Sequence, residues 1–139
     1  MIKNKQLTSN AGLYYICYEL SKRGWNVLPT SRNAKGVDIM IYNQSANDVH
    51  TIEVKSSQSS FRDTIDMKDV LSEYLVICNK IRLNRTNKSV TTETVTKTPV
   101  VYICKKDQID RDGIKFIHPS YYREFEGRWD LIGTGFDKT

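Results

Sequence analysis

From Leu7 to Arg23 the apolar residues Leu13, Ile16, Cys17 and Leu20 recur at i, i+3, i+4 and i+7. That spacing puts them on one face of a helix. Thr8, Ser9 and Asn10 offer N-cap oxygens and Gly24 a stop, so an amphipathic helix is predicted over 7–23. Beyond Gly24 the period changes to two. "WNVLPTS" predicts a short strand ended near Pro29, "RNAKG" a turn, and "VDIMIYN" a second strand. In that strand Val37, Ile39 and Ile41 share one face and Asp38, Met40 and Tyr42 the other. "NQSAND" reads as a turn and "VHTIEVKSS" as a third strand, giving a three-stranded antiparallel meander over 25–57.

"QSSFRDTIDMKD" is polar and predicts a loop with a helical turn. "EYLVICNKI" and "PVVYICKK" are continuous apolar runs of the kind buried on both faces of a sheet. Between them "RLNRTNKSVTTETVTKT", rich in Thr, Asn and Lys, fits either an extended hairpin or a loop. "FIHPSYYREFEGRWDLIG" predicts a short strand, a helix opened by Pro119 and carrying Tyr122 and Phe125, and a stop at Gly127.

The length of 139 residues suits one compact domain, 1–139. Hydrophobic residues at 39% and charged residues at 27% describe a globular chain rather than a disordered one. No apolar run approaches the roughly 18 residues that span a bilayer, and "MIKNKQLTSN" lacks the apolar core of a secretory leader. A cytoplasmic protein with no membrane partner is expected. Cys17, Cys78 and Cys104 are odd in number, far apart and set in apolar stretches, which suits buried free thiols better than a disulfide framework or zinc site. The net charge of +5, from 21 Lys and Arg against 16 Asp and Glu, leans modestly toward polyanionic partners.

In "TIEVKSSQ" alternation places Glu53 and Lys55 on one strand face, about 7 Å apart. Alone, such a pair is an ordinary solvated strand face. Asp38 changes the picture. Fourteen residues separate it from Glu53, enough for a strand, a turn and a return strand, so the two carboxylates can meet at one end of a hairpin. Paired carboxylates make a hard-oxygen site suited to Mg²⁺, and a lysine on the same face can hold a water and offset charge on a phosphate.

"GVDI" followed by "IEVK" resembles the signature of the PD-(D/E)xK nuclease superfamily, with Asp38 as its aspartate and Glu53, Val54 and Lys55 as its ExK. "AGLYYICYELSKRGWNVLPTSRNAKGVDI" and "FEGRWDLI" are similar to the opening and closing segments of small members related to Holliday-junction resolvases. The resemblance implies an α/β fold with a restriction-endonuclease-like core, a central mixed sheet flanked by helices. It further implies an endonuclease hydrolysing phosphodiester bonds of nucleic acid, with DNA as the expected substrate. Asp38, Glu53, Lys55 and Gln58 would be its catalytic residues, and Asp38, Glu53 and Val54 would hold Mg²⁺ or Mn²⁺. So small a domain would rely on structure or ends in its substrate, on a homodimer or on a protein partner to choose its site.

One position departs from the family pattern. Many members carry a helix glutamate where this chain has Leu13, and Glu19 lies about 9 Å farther along the helix and is rotated by about 240°. The alternative is therefore a catalytically inactive module that keeps the fold to bind nucleic acid or a protein. Among the remaining candidates, His50 is expected to pack and His118 to lie in a loop. Tyr14, Tyr15 and Tyr18 are expected mainly as helix surface or core. Arg82, Arg85, Lys88 and Lys97 are solvated charges that on a nuclease could follow a phosphate backbone.

Overall fold

The computed structural model describes residues 4–31, 35–60, 64–86 and 98–138. Helix α1 (Lys5–Lys22) leads into a five-stranded mixed sheet. Its strands in spatial order are β1 (Asn26–Pro29), β2 (Ile39–Tyr42), β3 (Val49–Ser56), β5 (Tyr74–Asn79) and β6 (Val100–Lys105). The first three form the expected antiparallel meander, β3 and β5 run parallel, and β6 returns antiparallel to β5. A two-stranded ladder joins β4 (Ile65–Asp66) to β7 (Phe116–Ile117), and the short helices α2 (Lys106–Arg111) and α3 (Pro119–Tyr122) complete the α/β chain.

Period-two alternation divides the sheet into two faces. Ile39, Ile41, Ile52, Val76 and Val101 pack with Ile16 and Leu20 of α1, and with Trp25 and Ile132. The other face carries Leu75, Ile77 and Cys104 against Ile65, Met67, Ile109, Ile117 and Phe125. Strand β5 serves both layers, and all six of its residues are buried, which is why its sequence is apolar from Tyr74 to Cys78, with the polar Asn79 buried at its end.

The helix begins earlier than its polar residues suggest. Thr8, Ser9 and Asn10 lie inside α1 instead of capping it, and Asn4 takes the N-cap position. Lys5, Gln6 and Leu7 are good helix formers, and the Thr8 hydroxyl finds a partner within the helix by donating to the Asn4 carbonyl at 2.9 Å. The other end is as expected, since Gly24 follows the C-cap in the left-handed region at φ +91°.

Close approach of α1 to β3 depends on Gly12. A Cβ built there would lie 2.0 Å from Ser56 Oγ and 2.9 Å from Ile81 Cδ1. The helix is therefore pressed onto the end of the strand that carries Glu53 and Lys55. Beyond β7 the chain follows expectation in part: Pro119 opens a helix that ends at Tyr122, the buried Phe125 lies on the 3₁₀ turn Arg123–Phe125 that follows, and Gly127 is in the left-handed region. The Gly127 N–H donates to Val101 at 2.8 Å, closing part of the β6 edge. Residues 87–97, the greater part of the segment expected as hairpin or loop, lie outside the described residues, as do Lys88 and Lys97.

Candidate active site

Asp38 stands immediately before β2, one step beyond the last paired rung of the β2–β3 ladder. Its N–H donates to the Ile52 carbonyl at 2.9 Å, and its own carbonyl accepts from Thr30 at 2.9 Å. Its carboxylate then does what a backbone carbonyl would do in a longer strand: Oδ2 accepts the Val54 N–H at 2.7 Å. Three bonds thus fix the aspartate beside the peptide that joins Glu53 to Lys55.

Glu53 and Lys55 point away from α1, opposite Leu75 and Ile77 of β5. Both are partly buried. Burial pushes the Glu53 carboxyl above its ordinary pKa; the Lys55 charge opposes this, while the negative charges of Asp38 and Asp69 add to it. A half-buried acid that feels two further carboxylates and one ammonium has the electrostatics common at functional sites. Lys55 forms no ion pair within 4.0 Å among the described residues, so its charge is open to a ligand.

Both side chains line an open cleft of 570 Å³ whose other walls are Lys5, Thr64, Ile65, Asp66, Asp69 and Val70. Asp69 ends the 3₁₀ turn Met67–Asp69 and is the acid that motif reasoning missed. Its only trace in the sequence is the density of acids in "DTIDMKD". Asp66 has a structural task, since it caps that turn by accepting the Lys68 N–H at 3.1 Å.

Gln58 is placed differently from Asp38, Glu53 and Lys55. Its amide nitrogen donates to Thr8 Oγ1 of α1 at 3.2 Å, and it is not among the residues lining the cleft. Leu13 packs against the core on the α1 side of the sheet. Glu19 is engaged elsewhere, with Arg23 at 2.7 Å and Lys22 at 3.4 Å. Although burial pushes its carboxyl up, the Arg23 hydrogen bond and the Lys22 charge hold it below the ordinary value.

Comparisons with protein-family models, with curated proteins and with solved structures return no match.

Among the described residues no three His, Cys, Asp or Glu side chains form a group that could hold a metal ion by themselves. The same residues contain no helix long and apolar enough to cross a membrane. His50 packs edge-on between Trp25 and Tyr74 and meets Asp48 and Glu73, while His118 meets Thr64 at 3.2 Å. All three cysteines are free, and burial raises Cys78 and Cys104 to about 12 and the half-buried Cys17 to about 11. Tyr14 and Tyr18 are exposed on α1, whereas Tyr15 packs against the core.

Proposed function

We propose that this chain is a metal-dependent nuclease with a restriction-endonuclease-like core, hydrolysing phosphodiester bonds of nucleic acid, with DNA as its substrate. The observation that carries the reading is the Asp38–Val54 hydrogen bond, because it sets an aspartate from the start of one strand against the E-x-K segment of the next. A mixed sheet with an N-terminal helix on one face is compatible with such a core.

The donor chemistry fits Mg²⁺ or Mn²⁺. Asp38 and Glu53 supply hard carboxylate oxygens, Val54 adds its main-chain carbonyl, and a magnesium ion ordinarily takes one or two carboxylates with water and substrate phosphate filling its shell. That preference also accommodates the lack of a ready-made three-residue metal group among the described residues. The bound ion would supply positive charge to the phosphate and its leaving oxygen.

The chain's own residues do the rest. Lys55 donates from the Glu53 face, either to a phosphate oxygen or to the attacking water, and offsets the charge that gathers on phosphorus-bound oxygens. Asp38, already bonded to Val54, keeps the acid pair in register while substrate enters. Hydrolysis forms a P–O bond from water and breaks the bond to the sugar oxygen, which takes up a proton as the water gives one to solvent. Gln58 acts through α1, holding the helix against the strand end.

A second reading, a module that binds nucleic acid without cutting it, is favoured by Leu13, which packs against the core at the position where a third acid would otherwise be sought. Cleavage of plasmid, branched and single-stranded DNA with Mg²⁺, Mn²⁺ or chelator separates the two. Metal-dependent cleavage that Asp38→Asn removes supports the nuclease. Binding with steep salt dependence but no cleavage under any metal supports the module.

A further inference from the structure

We infer that the nucleic-acid strand, after crossing the Glu53–Lys55 cleft, runs over the first turn of α1, with Lys5 and Arg85 holding its flanking phosphates. This path rests on the nuclease reading above. Lys5 belongs to the helix on the far face of the sheet, yet it lines the same cleft as Glu53 and Lys55. It gets there because Gly12 lets α1 press onto Ser56 and because Gln58 ties Thr8 to the strand end. The residue before Lys5 is Asn4, whose side-chain amide, turned so that its oxygen faces Arg85, accepts from Nη1 at 2.7 Å and Nη2 at 3.2 Å. Three cations from three separate segments therefore stand in succession: Lys55 on β3, Lys5 on α1 and Arg85 on the segment leaving β5.

What distinguishes these three from other basic residues is position, since Lys5 and Lys55 line the cleft and Arg85 reaches the residue before Lys5, whereas other unpaired cations such as Lys105 line no wall of that cleft. Lys22 and Arg23 are paired with Glu19, Lys68 with Asp66 and Arg128 with Asp130. Among the described residues Lys5, Lys55 and Arg85 have no carboxylate within 4.0 Å, and the first turn of α1 contains no acid. The Asn4 contact orients the Arg85 guanidinium without neutralising it, and leaves donors free. Cations without a carboxylate partner are free to meet the phosphates of a polyanion directly. Such contacts position a backbone and carry no base information, which fits a site that cuts without reading sequence.

The test is binding of a labelled duplex of random sequence in chelator, where no cleavage occurs, titrated between about 0.05 and 0.2 M salt. Lys5→Gln and Arg85→Gln should each flatten the slope of log affinity against log salt by about 0.9, and the double variant by about twice that. Lys5→Arg and Arg85→Lys should retain the wild-type slope. Lys105→Gln, at the opposite end of the β5–β6 ladder, removes the same charge and should leave the slope as it was. If the wild type binds and cuts but the two glutamine variants keep its slope, or if Lys105→Gln flattens it equally, the path is wrong while the nuclease stands. A wild type that binds no DNA overturns both.

Discussion

The carboxylate of Asp38 accepts the backbone N–H of Val54 at 2.7 Å, so an acidic side chain completes the β2–β3 ladder at the point where Glu53 and Lys55 face the cleft. One group then serves two ends, a structural bond through Oδ2 and a negative charge beside Glu53. The two roles can be separated by substitution. Asp38→Asn keeps an oxygen for Val54 and should leave stability within about 1 kcal/mol of wild type, whereas Asp38→Ala strands a donor and should cost about 1–2 kcal/mol in urea unfolding. Both should abolish metal-dependent cleavage. Equal stability of the two variants would show that the bond contributes nothing.

Glu53 is held above its ordinary pKa by burial, with Lys55 opposing and Asp38 and Asp69 reinforcing. A raised folded pKa means that its contribution to stability is fully present below the unfolded value, near 4.5, and is lost as pH rises through the folded value. In metal-free solution Glu53→Gln should therefore raise Tm at pH 7 to 8, and the gap should close below about pH 4.5. Adding Mg²⁺ should stabilise the wild type and leave Glu53→Gln unmoved. Thermal unfolding across pH, with and without metal, checks both. Asp69→Asn should lower the Glu53 titration midpoint followed by carboxyl NMR.

Much of this arrangement was legible in the chain. The shift from period 3.6 to period 2 after Gly24 marked the helix and meander, and the apolar runs marked β5, buried at all six positions, and β6, which buries Val101, Ile103 and Cys104 and leaves its other three residues partly exposed. Asp38, Glu53 and Lys55 could be brought together since antiparallel register follows from a hairpin's geometry. What could not be read depends on contacts distant in sequence. Gln58 turns to Thr8, fifty residues away, and Asp69 reaches the cleft through β4, a two-residue strand too short to show a period. The helix start was hidden because Thr8 and Asn10 have cap chemistry that the folded chain uses for bonds within the helix.

Gly12 tests how closely α1 must approach β3. In an exposed helix interior, Gly→Ala would stabilise by about 1 kcal/mol. Here the added Cβ would stand 2.0 Å from Ser56 Oγ and 2.8 Å from Ser56 Cβ, so Gly12→Ala should instead destabilise by about 1–3 kcal/mol. Ser56→Gly in the same chain should recover part of the loss. Denaturant unfolding of the single and double variants measures the coupling, and an additive result would mean that the helix shifts freely.

His50 provides a pH signature remote from the cleft. Burial alone would lower its pKa, but Glu73 at 2.8 Å and Asp48 at 3.0 Å hold it above the ordinary value near 6.5. Its ion pairs therefore stabilise fully below that value and lose effect as pH rises through the folded pKa. His50→Gln should cost on the order of 1 kcal/mol at pH 5.5 and less at pH 8.5. Urea unfolding at the two pH values decides; a cost that grows with pH contradicts the assignment.

The central claim is that Asp38, Glu53 and Lys55 form a hydrolytic site. Its most direct test is cleavage of end-labelled DNA by wild type and Glu53→Gln, side by side, with Mg²⁺ or with chelator. The predicted result is metal-dependent cleavage by the wild type and a loss of about a hundredfold or more in Glu53→Gln, with its fold intact. Undiminished cleavage by Glu53→Gln, or no cleavage by the wild type with any DNA under Mg²⁺ or Mn²⁺, would contradict it.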